Sequence, residues 1–330
     1  MTGFRAAAPV RLDFAGGWTD VPPYSAREGG VVVAAAVQLH AYAEVTPRAA
    51  GYLLMSQDLG EAQELETVEG LAAEGPLALL RAGLRMLQSG PCSLVTRSDA
   101  PPGSGLGSSG AIDVALVAAL AAAAGRRLSV RETADLACRL EGVEAGIPGG
   151  RQDQFVAAFG GFLRLEFRDP DASVRPIALD PGFAAELERR MLLCYTGASR
   201  FSGDTIGRVM RAYERGDPAV AGALDGLRRV AEEMTGALGA ADFARVGALL
   251  SENWRLQQVL DAGMCTPEMA RLERAMLEAG ALGGKAAGSG AGGSMFFLAP
   301  DDPGPAREVV RRLGMRLLPV RWSLLGVRPC

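Results

Sequence analysis

The sequence predicts an α+β protein, with strands and helices grouped in blocks rather than in strict alternation. Three observations carry this reading. The first 60 residues are short runs of valine, alanine and other apolar residues broken by glycine and proline, a strand pattern. Residues 202–280 repeat apolar side chains at helical spacing almost throughout. From residue 295 the chain returns to strand-like runs around one helix.

In order along the chain, residues 9–14 read as a short apolar strand, ended by Gly16-Gly17 and Pro22-Pro23. Residues 31–36 and 41–46 are strand-like, residues 77–87 have helical spacing, and residues 92–96 form a strand. Residues 108–124 form an alanine-rich helix stopped by Gly125. Ser129 opens the next helix, with Glu132 completing a capping box, and that helix runs to about residue 145. A glycine and proline turn covers residues 146–150, and residues 161–167 are a strand. Residues 190–195 read as a strand that starts a new unit, so the domains are placed at 1–180 and 181–330. The helical block divides into about four helices, broken near Gly216-Asp217-Pro218, Gly239 and Gly263. Strands at 295–298, near 315–319 and near 322–325, with a helix at 303–313, complete the chain.

Composition excludes several classes. Apolar residues make up 48% and charged residues 22% of the 330, so a packed core is expected and global disorder is not. Net charge is −4 and no basic run stands out, which gives nucleic acid or an anionic membrane no electrostatic footprint. Five scattered cysteines with no C-x-x-C speak against a zinc ribbon or a disulfide framework and suit a reducing cytoplasm. No signal peptide is visible, and the most apolar run, residues 111–124, carries Asp113 and is too short to span a bilayer. A soluble, cytoplasmic protein is expected. The one histidine, His40, sits in an apolar strand and reads as structural.

Function is concentrated in two glycine-rich segments. Pro101-Pro102-Gly103-Ser104-Gly105-Leu106-Gly107-Ser108-Ser109-Gly110 lies between a strand and a helix. Glycines let successive N–H groups turn inward, and the helix N-terminus adds about half a positive charge, so such a loop binds phosphate oxygens. No lysine follows, so it is not a Walker A loop. Gly105-Leu106-Gly107-Ser108-Ser109-Gly110 fits G-x-G-x-x-G, but the next strand and its acidic residue are missing, so a dinucleotide fold fails on context. The second segment, residues 283–293, contains Lys285, the only lysine among 34 basic residues. An ammonium is compact where a guanidinium is a wide fork, so this position is expected to need lysine, for catalysis or for holding the loop.

These segments resemble the motifs of the GHMP kinases. PVRLDFAGGWTDVPP (9–23) resembles their first motif in the sugar-1-kinase branch, residues 101–111 the second, and GGKAAGSGAGG (283–293) the third, in the family's order. RLDFAGGWTD is similar to L-fucokinases, and GGRQDQFVAAFGGF (149–162) is similar to D-glycero-D-manno-heptose phosphate kinases. The resemblance implies a ribosomal-S5-like N-terminal domain, a ferredoxin-like C-terminal domain and an active site between them. It further implies ATP as phosphate donor, Mg²⁺, and a small-molecule sugar or sugar phosphate as acceptor, in a monomer or homodimer.

The same resemblance implies roles. Asp153, after the Gly149-Gly150 turn, is the expected base that takes the proton from the attacking hydroxyl. Arg11 is placed beside the transferring phosphate; Lys285, singled out by its chemistry and not by the resemblance, is the third catalytic candidate. Glu141, with Glu144 as rival at i+3, and Ser109, with Ser108 as rival, are the expected magnesium-side oxygens. Residues 102–110 (Pro102, Gly103, Ser104, Gly105, Leu106, Gly107, Ser108, Ser109, Gly110) are the nucleotide candidates. The acceptor candidates are Asp13, Gly17, Trp18, Thr19, Asp20, Tyr24, Gly149, Gly150, Gln152 and Gly290. Asp20 is suited to accept sugar hydroxyls, and Trp18 and Tyr24 can stack on a sugar's apolar face. The expected reaction is phosphorylation of an anomeric hydroxyl, with a heptose or heptose 7-phosphate first and L-fucose second. A non-catalytic sugar and nucleotide sensor has no need of Asp153 and Glu141. A mevalonate- or homoserine-type kinase fits GGWTD poorly.

Overall fold

The computed structural model describes residues 3–68, 75–197 and 203–330. The N-terminal part is built on β1 (Phe4–Ala15), the short helix α1 (Tyr24–Arg27) and the long strand β2 (Gly30–Pro47). β3 (Tyr52–Ser56) and β4 (Glu61–Leu65) form a hairpin, followed by α2 (Ala78–Met86) and β5 (Cys92–Ser98). Next come α3 (Ser108–Ala123), α4 (Val130–Arg139), α5 (Gln152–Phe159), β6 (Phe162–Arg168) and β7 (Asp171–Pro176). β2 is long enough to serve two partners, pairing β6 along its first half and β5 along its second. All pairings in this sheet are antiparallel except β3 with β5. Residues 6–15 of β1 are all buried. Successive strand residues point to opposite faces, so both faces of β1 are covered.

The second part begins with α6 (Pro181–Arg190) and β8 (Met191–Tyr195). Four helices follow: α7 (Gly203–Glu214), α8 (Pro218–Gly239), α9 (Phe243–Leu260) and α10 (Pro267–Glu278). β9 (Gly283–Ala286), β10 (Ser294–Leu298), α11 (Gly304–Arg312), β11 (Arg316–Leu318) and β12 (Arg328–Pro329) complete the chain. β11, β8, β10 and β9 form, in that order, a separate antiparallel sheet. The architecture is α+β with two sheets, and no helix among the described residues is long and apolar enough to cross a membrane.

Local chemistry explains the helix starts. Asp217 and Asp242 accept backbone N–H bonds at the starts of α8 and α9, and Thr266 does so for α10. Ser129 and Glu132 form the expected capping box. The helix they open is not uniform to residue 145. It is α-helical to Arg139 and then makes one π-helical turn, Leu140–Glu144.

Three other expectations differ. α6 and α5 lie where no helix was assigned, because Pro181 and Arg151 open short helices whose apolar pattern is too brief to stand out. Residues 322–325 form no strand. Trp322 makes a single bridge to Val37, and the final strand is β12, which pairs with β1. The C-terminal tail therefore returns to the first sheet instead of staying with residues 181–330. His40, on β2, is buried away from the cavity described below, its backbone N–H donating to Asp99 Oδ2 at 3.0 Å, and burial lowers its pKa.

The tail's anchor is Trp322. Its ring meets Phe162 edge-on at 4.8 Å and lies 6.1 Å from Phe14, and its indole N–H donates to Ala184 O at 2.9 Å. Trp322→Ala should destabilise the protein by about 3–5 kcal/mol, read as a lower denaturant midpoint in urea unfolding.

Candidate active site

A cavity of about 550 Å³ opens between the two parts of the chain. It is walled by the turn after β1, the loop before α3, the segment from Glu141 to Asp153, and the glycine loop after β9. The two glycine loops touch. A Cβ on Gly288 would lie 2.6 Å from Gly105 O, and one on Gly293 would lie 2.5 Å from Gly103 O. Only glycine permits backbones this close.

The loop before α3 has the geometry of an anion site. Gly103, Gly105 and Gly107 all take left-handed φ values, at 66°, 75° and 73°. Gly107 leads directly into α3, whose N-terminus faces the cavity rim through Ser108 and Ser109. The hydroxyls of Ser104 and Ser108 are buried with no partner among the described residues, although both residues line the cavity. Such orphaned donors fit phosphate oxygens. Of the nine nucleotide candidates, Gly103, Ser104, Gly105, Gly107, Ser108 and Ser109 line the cavity. Pro102 is exposed outside it. Leu106 is fully buried in the core, and Gly110 lies under the loop, where a Cβ would meet Asp153 Cβ at 2.5 Å. Gly110 thus brings α3 and α5 together rather than touching a ligand.

Asp153 stands in the first turn of α5 beside this loop. Arg11, from β1, donates from Nε to Asp153 Oδ1 at 2.8 Å. Its Nη1 donates to Gly105 O at 2.6 Å and to Ala287 O at 2.9 Å. One guanidinium therefore joins the acid, the first glycine loop and the strand leading to the second.

Glu141 sits on the π-helical turn, which inserts a residue and re-aims the side chain, a distortion often found at functional sites. Ser109 Oγ donates to Glu141 Oε1 at 2.7 Å. Burial raises the Glu141 pKa, and the Ser109 bond acts against that. Glu144 turns away and pairs with Arg139 at 2.9 Å. Two adjoining hard oxygens at the edge of a phosphate-type loop fit Mg²⁺, which takes few protein ligands when a nucleotide supplies others.

A second cluster in the cavity is formed around Asp20. Gln152 N donates to Asp20 Oδ2 at 3.0 Å, and Gly150 has no room for a Cβ because Asp20 Oδ2 would lie 2.0 Å away. Burial pushes the Asp20 carboxyl up to about 6. Asp13, Gly17, Trp18, Gly149, Gly150, Gln152 and Gly290 also line the cavity. Trp18 does so with a φ of 83°, a left-handed conformation uncommon for a bulky residue.

Three further sequence assignments, besides Pro102, Leu106 and Gly110, do not line the cavity. Thr19 is fully buried and its hydroxyl bonds to Gly16 and Val31 in the turn, so it shapes the turn and does not face the cavity. Tyr24 lies outside the cavity, its hydroxyl donating to Asp225 Oδ1 at 2.7 Å while its ring packs on Tyr213. Lys285 is fully buried behind the cavity wall. Its Nζ donates to Asp13 O at 2.7 Å and Asp13 Oδ2 at 2.9 Å. Burial lowers its pKa, and the charge of Asp13 opposes that. It does not line the cavity and meets it through Asp13.

The sequence reading passed over several residues. Asn253 and Gln257 on α9 hold two cavity loops, Asn253 Oδ1 accepting from Gly16 N at 3.0 Å and Gln257 Nε2 donating to Gly288 O at 2.7 Å. Their i,i+4 spacing on an otherwise apolar helix face was the available signal. Asp113 and Gln154 form a buried pair behind Glu141, and burial raises the Asp113 pKa well above the ordinary carboxylate range.

Known proteins resemble this chain along nearly its whole length. The family model of the GHMP kinases N terminal domain matches residues 72–161, and that of the GHMP kinases C terminal region matches residues 234–316. The chain is 32% identical to D-glycero-alpha-D-manno-heptose 7-phosphate kinase of Campylobacter jejuni, over 95% of this chain and 94% of that protein. It is 29% identical to the bifunctional fucokinase/GDP-fucose pyrophosphorylase of Arabidopsis thaliana, over 94% of this chain but 31% of that protein. The crystal structure of a D-glycero-D-manno-heptose 1-phosphate kinase from Bacteriodes thetaiotaomicron matches it with a TM-score of 0.78 and 27% identity, covering 99% and 98% of the two chains. The chain belongs to the GHMP kinases. It is an ATP-dependent kinase, with the glycine loop before α3 falling inside the N-terminal family match.

Removing one partner of a buried ion pair strands the other charge. Lys285→Met should cost about 3–5 kcal/mol in unfolding free energy. Lys285→Arg, which keeps the charge but needs more space, should also lower the thermal midpoint, whereas Arg126→Lys should leave it within about 0.5 kcal/mol of the parent.

Proposed function

We propose that this kinase transfers the γ-phosphoryl group of ATP to the anomeric hydroxyl of a heptose. D-glycero-D-manno-heptose 7-phosphate is the first candidate acceptor and L-fucose the second. The observation that carries the reading is the Arg11–Asp153 pair at 2.8 Å, set between a phosphate-type loop and the buried Asp20 in one cavity. A sugar as acceptor class is supported by the relatives that phosphorylate sugars, and the heptose by the 32% identical kinase that matches nearly the whole chain. Trp18, which lines the cavity within a fucokinase-like turn, supports L-fucose as the second candidate.

In this reading Asp153 accepts the proton of the acceptor hydroxyl as its oxygen bonds to phosphorus. The bond between the β–γ bridging oxygen and the γ-phosphorus breaks, and its electron pair leaves with ADP. Arg11 fixes the Asp153 carboxylate and holds it against the loop. The hydroxyls of Ser104 and Ser108 and the N–H groups entering α3 bind phosphate oxygens. Ser109 and Glu141 would hold Mg²⁺, which supplies neutralisation of phosphate charge when bound. Asp20, together with Gln152 and the Gly149-Gly150 backbone, orients the acceptor.

The test is ATP consumption with Mg²⁺ across free and phosphorylated hexoses and heptoses. Turnover confined to sugars unlike a heptose or L-fucose would reject the acceptor assignment. Asp153→Asn should lower kcat by about 10²-fold or more while ATP affinity stays close to that of the parent. Asp20 gives a pH signature. Its carboxylate form accepts acceptor hydroxyls, and with a pKa of about 6 that form is lost as pH falls. The acceptor KM should therefore rise as pH drops through about 6, and Asp20→Asn should raise KM and flatten the pH dependence.

A further inference from the structure

Gln154 directly follows Asp153, yet its side chain points away from the arginine and phosphate loop. Its amide nitrogen donates to Glu141 Oε2 at 2.6 Å and to Asp113 Oδ2 at 3.2 Å. Gln154 and Asp113 are both almost completely buried. Ser109 takes the other oxygen of Glu141, at 2.7 Å. The four side chains form one row, Asp113–Gln154–Glu141–Ser109, running from behind α3 to the cavity edge.

The row has only one chemically sensible orientation. A carboxamide donates from nitrogen and accepts at oxygen. Glu141 accepts from Ser109 at one oxygen and faces this end of Gln154 at 2.6 Å with the other, so that end is the nitrogen, and a flipped amide would set oxygen against oxygen there. Asp113 Oδ2 accepts from the same nitrogen at 3.2 Å and so helps hold Gln154 in this orientation. Gln154 in turn ties down Glu141 Oε2 and leaves Oε1 directed at Ser109. The π-helical turn that carries Glu141 lacks the regular α-helical bonding of its neighbours, so this side-chain tether supplements the backbone.

We infer that Gln154, held in part by Asp113, is a positioning residue that presents Glu141 to a divalent cation arriving with the nucleotide. The inference rests on reading Glu141 as a metal-side ligand. Partners that orient a ligating carboxylate set metal affinity, and losing one typically weakens it by about 10–100-fold. Gln154→Met preserves volume and removes both hydrogen bonds. Gln154→Asn keeps the amide but is one methylene too short to reach both carboxylates. Asp113→Asn keeps an oxygen acceptor facing Gln154 and serves as the conservative variant.

The experiment titrates Mg²⁺ into the full-length protein with a non-hydrolysable ATP analogue and follows binding by calorimetry, without an acceptor and without turnover. Gln154→Met and Gln154→Asn should raise the half-saturating Mg²⁺ concentration by about tenfold, while affinity for the analogue in EDTA stays unchanged. Asp113→Asn should titrate close to the parent. Glu141→Gln is run alongside. If Glu141→Gln weakens the Mg²⁺ response and both Gln154 variants that fold titrate like the parent, Gln154 is packing only and the inference fails. If Glu141→Gln leaves the response unchanged, the metal-side reading of Glu141 fails and takes the inference with it. Equal loss of analogue affinity with Mg²⁺ and in EDTA would mark Gln154 as a general structural residue and also overturn it.

Discussion

The site depends on the contact between two glycine loops and on the single guanidinium that holds them. Gly288 approaches Gly105 so closely that it cannot carry a side chain, which brings a loop of the first sheet against a loop of the second. Backbones in such contact direct carbonyls inward, where each needs a donor. Arg11 supplies the missing donors, bonding Gly105 O and Ala287 O from one nitrogen. Its remaining reach goes to Asp153. The same residue therefore satisfies the interface between the two parts and sets the direction of the proposed base.

A second layer of charge supports the first. Lys285 and Asp13 are buried together, at the junction where β9 of the second sheet meets the end of β1. Desolvation makes such a pair expensive unless nearly every hydrogen bond is formed, and Lys285 adds one to the backbone of Asp13. An ammonium donates in any of several directions from a small volume, which suits a position enclosed by glycines and the Phe296 ring. The lysine that survives in an arginine-rich chain is thus explained by space. It lies one residue behind the cavity wall: Lys285 touches Asp13, and Asp13 lines the cavity.

Legibility differed by residue type. Gly103, Gly105 and Gly107 were readable because a run of alternating glycines between a strand and a helix has few uses other than anion binding. Asp153, Arg11, Glu141 and Asp20 were placed through family resemblance, and all four line the cavity. Tyr24 and Thr19 misled because adjacency in a motif says nothing about which way a side chain points. The turn that presents Asp20 sends Thr19 inward and Tyr24 towards Asp225. Gln154 and Asp113 were within view but carried no pattern, since 41 residues separate them and their contact exists only after α3 and α5 pack.

The sequence by itself determined the α+β class, the helical block between residues 203 and 278, the glycine loop and the helix after it, and the family. These follow from local periodicity, from the conformational freedom of glycine and from ordered motifs. Only the tertiary structure decided which oxygen each donor meets. It turned Glu141 inward on a π-helical turn and Glu144 outward to Arg139, sent the C-terminal tail back to the first sheet, and removed Lys285 from the cavity. The physical reason is that hydrogen bonds and ion pairs act over a few ångströms, and those distances are set by how close the helices and sheets can pack.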